Sequence, residues 1–415
     1  MKFARALLVF LVASLAVPAL AGDFALKDGD RVVFYGDSIT DQRLYSTYVE
    51  AFVATRFPKK NITFVHSGWG GDRVGGGGGG PIDVRLKRDV IAYKPTVVSI
   101  MLGMNDASYR AFDDKIFETY STGYEHILDT LTTALPDVRL TLIQPSPFDD
   151  VTRKPNFEGG YNAVLLKYGE YLKGLAVKRK ATLADLNTDL VEATKKADAT
   201  DHDTAVKFNP DRVHPAPAGQ LLMAEGLLKG WDAPALVSSV EIDTEAASSV
   251  KAQNAKVTEL VVGDTVAWTQ EDEALPYPLD RGDTVVALAL KSSDFLSALD
   301  RQIVKVGKLK AAKYTLKIDG GSVGEFTKEE LTDGVNIATL DTPMWRQSRQ
   351  VLELIQSHNN LHFLRWRNIP ASLSEYESAY KDAFDAIGRL EAEIVKKQKA
   401  TALPKPHRFE LSPKS

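Results

Sequence analysis

Five short apolar runs, each stopping in a glycine or polar turn, constrain the first half of this chain more than any other feature: residues 32–35, 62–66, 96–102, 138–143 and 181–186. Helical periodicity fills the intervals. Leu44, Tyr48, Val49, Phe52, Val53 and Phe57 recur at helical spacing, and Asp113 can cap a helix whose stripe is Ile116, Tyr120, Tyr124, Ile127 and Leu131. Residues 82–93, 161–178 and 219–231 also read as helices. Buried strands alternating with helices predict a parallel sheet covered on both faces. Such sheets gather their sites at the carboxyl ends of the strands.

The beginning of the chain reads as a secretory signal peptide over residues 1–21, with Lys2 and Arg5, an apolar run of 11 residues from Leu7 to Val17, and the small-x-small triplet Ala19-Leu20-Ala21. A membrane-spanning helix needs about 20 such residues. The mature chain would begin near Gly22 and carry 49 basic against 55 acidic residues, a net charge of −6. That balance gives no field for a phosphate backbone, so nucleic acid is not an expected partner. With no cysteine in the chain, there is no disulfide, no thiol nucleophile, no thiolate metal site and no lipidated cysteine. The expected product is exported, periplasmic or extracellular, and holds no stable membrane anchor.

The turns after the apolar runs carry the chemistry. Gly36-Asp37-Ser38 presents a serine after the first strand, the second exits into Ser67-Gly68-Trp69-Gly70-Gly71-Asp72-Arg73, and the third ends in Gly103-Met104-Asn105-Asp106. Far along the chain, Asp211 and His214 stand three apart before the last helix of this half, where one turn could present both on one side. Ester cleavage by serine needs a base, a carboxylate that holds the base in one tautomer, and donors aimed at the developing oxyanion. Candidates for all three are present, in the chain order Ser, Asp, His.

Gly36-Asp37-Ser38-Ile39, the Gly68-Trp69-Gly70-Gly71 loop, Gly103-Met104-Asn105-Asp106 and Asp211-Arg212-Val213-His214 resemble, in order, the four sequence blocks of the SGNH (GDSL-type) hydrolases. The resemblance covers residues 31 to about 231 and implies a flavodoxin-like three-layer α/β/α sandwich with a sheet of about five strands. It implies Ser38 as nucleophile, His214 as general base and then acid, and Asp211 as its orienting partner. The Gly71 amide and the Asn105 side chain would complete an oxyanion hole begun by the Ser38 amide. Gly71 is placed by its distance from Gly68, with Gly70 the neighbouring choice. Two positions depart from the family pattern: Ile39 in place of Leu, and His66 where many members have Asn.

The implied activity is hydrolysis of carboxylic esters through an acyl-enzyme, with a small-molecule or polysaccharide ester as substrate and no cofactor or metal. Deacetylation of carbohydrate, lysophospholipid or thioester cleavage, and glycan binding without catalysis are the competing readings. Other residues have blander accounts. His358 and His362 have i,i+4 spacing but no Glu at the second position of an H-E-x-x-H motif, which favours structural histidines. His202 reads as an exposed loop residue and Asp149-Asp150 as a solvated pair. Trp69 is either a substrate-facing wall or a packed anchor, and the glycines at 75–80 are either slack or a mobile flap.

From about residue 236 the pattern changes to short β-rich runs, at 259–262, 284–290, 302–306 and 313–318, with Asp319-Gly320 as a hairpin turn. Two helices follow, at roughly 343–365 and 372–397, joined at Asn368-Ile369-Pro370 with a Ser372-x-x-Glu375 capping box, and the last dozen residues read as a frayed tail. The expected organisation is therefore residues 1–21 as signal peptide, 22–235 as catalytic domain and 236–415 as a β-strand and helical-hairpin extension docked upon it.

Overall fold

A computed structural model describes residues 23–245, 249–373 and 376–414. The proposed signal peptide and Glu375 of the capping box lie outside them. Five strands, β1 (Arg31–Gly36), β2 (Thr63–Gly68), β3 (Val97–Met101), β4 (Arg139–Ile143) and β5 (Thr182–Ala184), form a parallel sheet in the order β2-β1-β3-β4-β5. This is the flavodoxin-like arrangement. Register does the decisive work for function, because Gly36 at the end of β1 pairs with Gly68 of β2 and Met101 of β3. The turns that follow these three strands therefore emerge side by side.

The period of two along β1 sends alternate side chains into different layers. Phe34 meets Tyr45 of α1 (Leu44–Arg56) and Trp231, which follows α6 (Pro217–Gly230). Tyr35 faces the Arg85 guanidinium of α2 (Ile82–Asp89) on the opposite side. Helices α3 (Asp114–Ala134) and α4 (Gly160–Arg179) share that second face, where Tyr120 and Tyr168 pack at 4.4 Å and Tyr124 reaches the Ile100 carbonyl at 3.1 Å. Asp113 caps α3 as its sequence suggests. The structure adds helix α5 (Thr188–Asp198), which buries Leu190, Ala193 and Ala197.

In the second half, β6 (Leu236–Asp243), β7 (Val250–Gln253), β8 (Ala255–Val262), β9 (Val266–Asp272), β10 (Arg301–Gly307), β11 (Lys313–Ile318), β12 (Gly321–Thr327), β13 (Val335–Asn336) and β14 (His407–Pro413) build two further sheets. One is antiparallel, in the order β8-β9-β14-β11-β12, and the other mixed, in the order β13-β10-β6-β7. Asp319 and Gly320 both take positive φ, as the expected hairpin turn requires.

Three expectations are corrected here. Residues 284–290 are not a strand but the start of helix α7 (Thr284–Ser292), because Asp283 caps it by accepting from the Val285 and Val286 amides. The supposed frayed tail is β14, the central strand of the antiparallel sheet: His407, Phe409 and Leu411 alternate inward, and Phe409 stacks on Trp268 at 5.1 Å. The helical pair is α8 (Pro343–Phe363) and α9 (Glu377–Ala402), and the intended joint is itself helical over Leu364–Asn368 and Ile369–Ser372. Leu373 and Tyr376, ahead of α9, and Leu390 within it are exposed.

The two halves share buried material. Tyr277, Leu279, Val286, Ala289, Phe295 and Leu299 belong to the core of the parallel-sheet unit, while Ala51 of α1 belongs to the core of the C-terminal sheets. Arg56, at the end of α1, donates to the Pro234 carbonyl at 2.7 Å and the Leu299 carbonyl at 2.8 Å.

Candidate active site

Ser38 opens a one-turn helix, Ser38–Asp41, at the end of β1, where the Asp37 carboxylate accepts the Ile39 amide at 3.0 Å. Ser38 Oγ lies 2.8 Å from His214 Nε2, and His214 Nδ1 lies 2.7 Å from Asp211 Oδ2. Partial burial would raise the Asp211 carboxyl, but the His214 amide and ring and the Val213 amide outweigh it and hold it below its ordinary value. An ionised carboxylate can only accept, so Nδ1 carries the imidazole proton and Nε2 is free to accept from the serine hydroxyl.

Asp211 and His214 do not share a helical turn, as their spacing suggested. They sit in the bend ahead of α6, where Asp211 Oδ1 accepts the Val213 amide at 2.9 Å and the His214 amide at 2.7 Å. Arg212 between them has φ 75° and is pinned outward, its guanidinium donating to the Asp149 carbonyl, Asp150 and Asn156 and lying 4.7 Å from the Phe148 ring centroid. Asp149-Asp150 is thus not a solvated pair. Asp149 is buried and caps its own loop through the Val151 and Thr152 amides, while Asp150 holds Arg212.

The other two turns hold the expected oxyanion donors. Asn105 Nδ2 donates to the Asp72 carbonyl at 3.1 Å, which joins the third block to the second. The Gly70 amide is committed to Asp41 Oδ2 at 3.1 Å. Gly71, at φ +78°, has an amide that meets no protein acceptor among the described residues, and the same holds for Ser38. Gly71 rather than Gly70 therefore has the spare donor. Asp106 accepts the Val74 amide at 2.9 Å, and burial pushes its carboxyl up to about 6.

Over residues 34–222 the sequence matches the GDSL-like lipase/acylhydrolase family. Through these residues the chain belongs to that family. It is accordingly a hydrolase acting on ester bonds. An acetylxylan esterase from Geobacillus stearothermophilus is 27% identical over 222 residues, covering 49% of this chain and 94% of that protein. A crystal structure of Axe2, an acetylxylan esterase from the same organism, is 26% identical, with a TM-score of 0.39 and coverage of 50% of this chain and 96% of that one. The structure of a gut microbial diltiazem-metabolizing enzyme shares 23% identity, with a TM-score of 0.80 and coverage of 94% and 98% of the two chains. That likeness extends the common fold through the C-terminal half.

Several elements of this GDSL hydrolase were open or invisible in its sequence. Trp69 is a packed anchor: Arg85, Arg88 and Arg367 place guanidinium carbons 5.1, 5.0 and 3.2 Å from its ring centroid, and Trp366 meets it edge-on at 6.0 Å. The glycine run is neither slack nor a loose flap. Gly76–Gly77 pairs with Gly80–Pro81, and a Cβ on Gly79 would lie 2.4 Å from Arg85 Cδ and 2.7 Å from Trp69 Cδ2. His66 bonds Ser46 at 2.8 Å and Glu50 at 3.2 Å, and Glu50 also accepts from Asn359 of α8 at 3.1 Å. Sequence pattern cannot foresee contacts between residues so far apart.

The remaining charged clusters have internal partners. His362 is buried against Tyr93 and Trp366, and its burial pulls the imidazole down to about 3, which suits a neutral core residue. Asp189, Glu225 and Asp294 converge within metal-binding distance of one another, yet Lys229 Nζ already sits 2.9, 3.0 and 2.7 Å from their respective oxygens. No helix among the described residues is long and apolar enough to cross a membrane.

Proposed function

We propose that the protein is an exported serine esterase that removes acyl groups, acetyl foremost, from hydroxyls of carbohydrates. The observation that carries the mechanism is the unbroken chain from Asp211 through His214 to Ser38 Oγ. Ser38 Oγ attacks the ester carbonyl carbon while its proton passes to His214 Nε2, and the Ser38 and Gly71 amides with Asn105 Nδ2 stabilise the oxyanion. Collapse expels the alcohol, which takes the proton from His214, and leaves an acyl-serine. Water, deprotonated by His214, then releases the carboxylic acid and restores the serine. Asp211 supports the imidazolium that forms twice in this cycle.

Carbohydrate deacetylation is supported by the acetylxylan esterase relative, and export by the basic, apolar and small-x-small succession of residues 1–21. Assays on p-nitrophenyl acetate, butyrate and decanoate beside acetylated xylan and lysophosphatidylcholine test the reading. An acetyl-sized site should lose about tenfold or more in kcat/KM on going to butyrate, since a pocket can reject added methylenes by that factor. Acetate release from xylan supports the carbohydrate assignment. Preference for decanoate or lysophosphatidylcholine would replace it with lipid hydrolysis, and inactivity on every ester would favour the glycan-binding alternative.

A further inference from the structure

Asn105 and Tyr109 are four residues apart with no helix between them, because Ser108 and Tyr109 both adopt left-handed backbone, at φ 60° and 55°. Residues with a Cβ disfavour that conformation, and it persists where surrounding packing imposes it. Here the reversal swings the phenol back over the loop, so that Tyr109 Oη donates to Asn105 Oδ1 at 2.9 Å. The ring is braced by Tyr161 at 5.0 Å and Phe148 at 6.3 Å, and Tyr161 in turn donates to the Met104 carbonyl.

A primary amide has one acceptor oxygen and two N–H donors. Tyr109 occupies the oxygen, and the Asp72 carbonyl takes one donor. Flipping the amide would set its oxygen against the Asp72 carbonyl and lose that bond, while the phenol oxygen could still accept from the NH2 group, so the Asp72 carbonyl fixes which way the amide faces and Tyr109 holds its oxygen there. The remaining N–H is the only one left for a reacting oxygen.

We propose that Tyr109 is a positioning residue for ester hydrolysis, its hydroxyl anchoring the Asn105 amide oxygen while the Asp72 carbonyl sets the direction of the amide, so that one N–H stays free for the oxyanion. This rests on the reading of Asn105 as an oxyanion donor. Partial burial pushes the Tyr109 phenol above its ordinary value, so the hydroxyl keeps its proton throughout the working pH range. Asn105 alone belongs to a recognisable block; Tyr109 enters through backbone geometry that no glycine announces.

Tyr109→Phe in the full-length protein keeps the ring stack and removes only the donor. With p-nitrophenyl acetate, kcat should fall about tenfold, the scale expected when a catalytic group loses its alignment, while KM stays within about twofold. Combined with Asn105→Ala, the second change should add nothing, because the two act as one unit. Wild-type kcat in Tyr109→Phe, beside an Asn105→Ala variant slowed about 100-fold, would overturn the anchoring role and leave the oxyanion assignment standing. Losses that multiply in the double variant, or a change confined to KM, would also overturn it. Full activity in Asn105→Ala would instead remove the oxyanion reading itself.

Discussion

Arg367 stacks on Trp69, its guanidinium carbon 3.2 Å from the ring centroid, so a residue of the C-terminal hairpin grips the loop that carries Gly71. The neighbouring Trp366 donates its indole N–H to Asp89 at 2.9 Å and closes the other side of the grip. A partly desolvated cation–π contact contributes about 1–2 kcal/mol. Arg367→Ala should lower the melting temperature by an equivalent few degrees and reduce kcat on p-nitrophenyl acetate, and Arg367→Lys should recover only part of both. Thermal melts and steady-state kinetics decide; wild-type values in Arg367→Ala would make the contact incidental.

A fragment of residues 22–235 should be insoluble or strongly destabilised. It lacks Tyr277, Leu279, Phe295 and Leu299, which fill the core of the parallel-sheet unit, and burying each such side chain contributes about 1.5–3 kcal/mol. Losing four removes about 6–12 kcal/mol, comparable with the whole net stability of a domain. Soluble expression with the full-length melting temperature and undiminished activity would show that the extension is separable.

Gly79→Ala should destabilise by about 1–3 kcal/mol, as overpacking does, since its Cβ would meet Arg85 and Trp69 far inside contact distance. Gly75→Ala is the matched control, because a Cβ there meets nothing within 4 Å. Equal melting temperatures for the two variants would contradict the close packing of the glycine hairpin.

Asp37 is buried, and burial pushes its carboxyl from 3.8 up to about 7. The folded state therefore binds more protons than the unfolded state between those values, so stability must fall as pH rises through that window. Asp37→Asn keeps a side-chain oxygen to accept the Ile39 amide and removes the charge. Its melting temperature should match wild type near pH 4 and exceed it at pH 8. A wild-type pH profile in the variant would rule out an ionisation cost at Asp37.

Much of this architecture could be read from the chain because its signals were local. The strand ending at Gly36 and the helix from Leu44 have unmixed periods, and parallel register then brings Ser38, Gly71 and Asn105 to one edge without further information. Where the signal was local but weaker, the reading failed: β-branched Val285-Val286 suggested a strand although Asp283 was the helix cap, and flanking prolines hid the alternation of His407, Phe409 and Leu411. The rest was not local. Trp69 is fixed by arginines at 85, 88 and 367, and Tyr109 reaches Asn105 through two left-handed residues with no sequence mark.

The central claim is that Ser38, activated by His214 and Asp211, is the nucleophile. Treating the full-length protein with a fluorophosphonate and mapping the adduct by peptide mass spectrometry tests this most directly. The account predicts a single adduct on the peptide containing Ser38, loss of esterase activity in step with labelling, and neither labelling nor more than about a thousandth of the wild-type rate in Ser38→Ala. An adduct on another residue, or Ser38→Ala retaining above about a tenth of the rate, would contradict it.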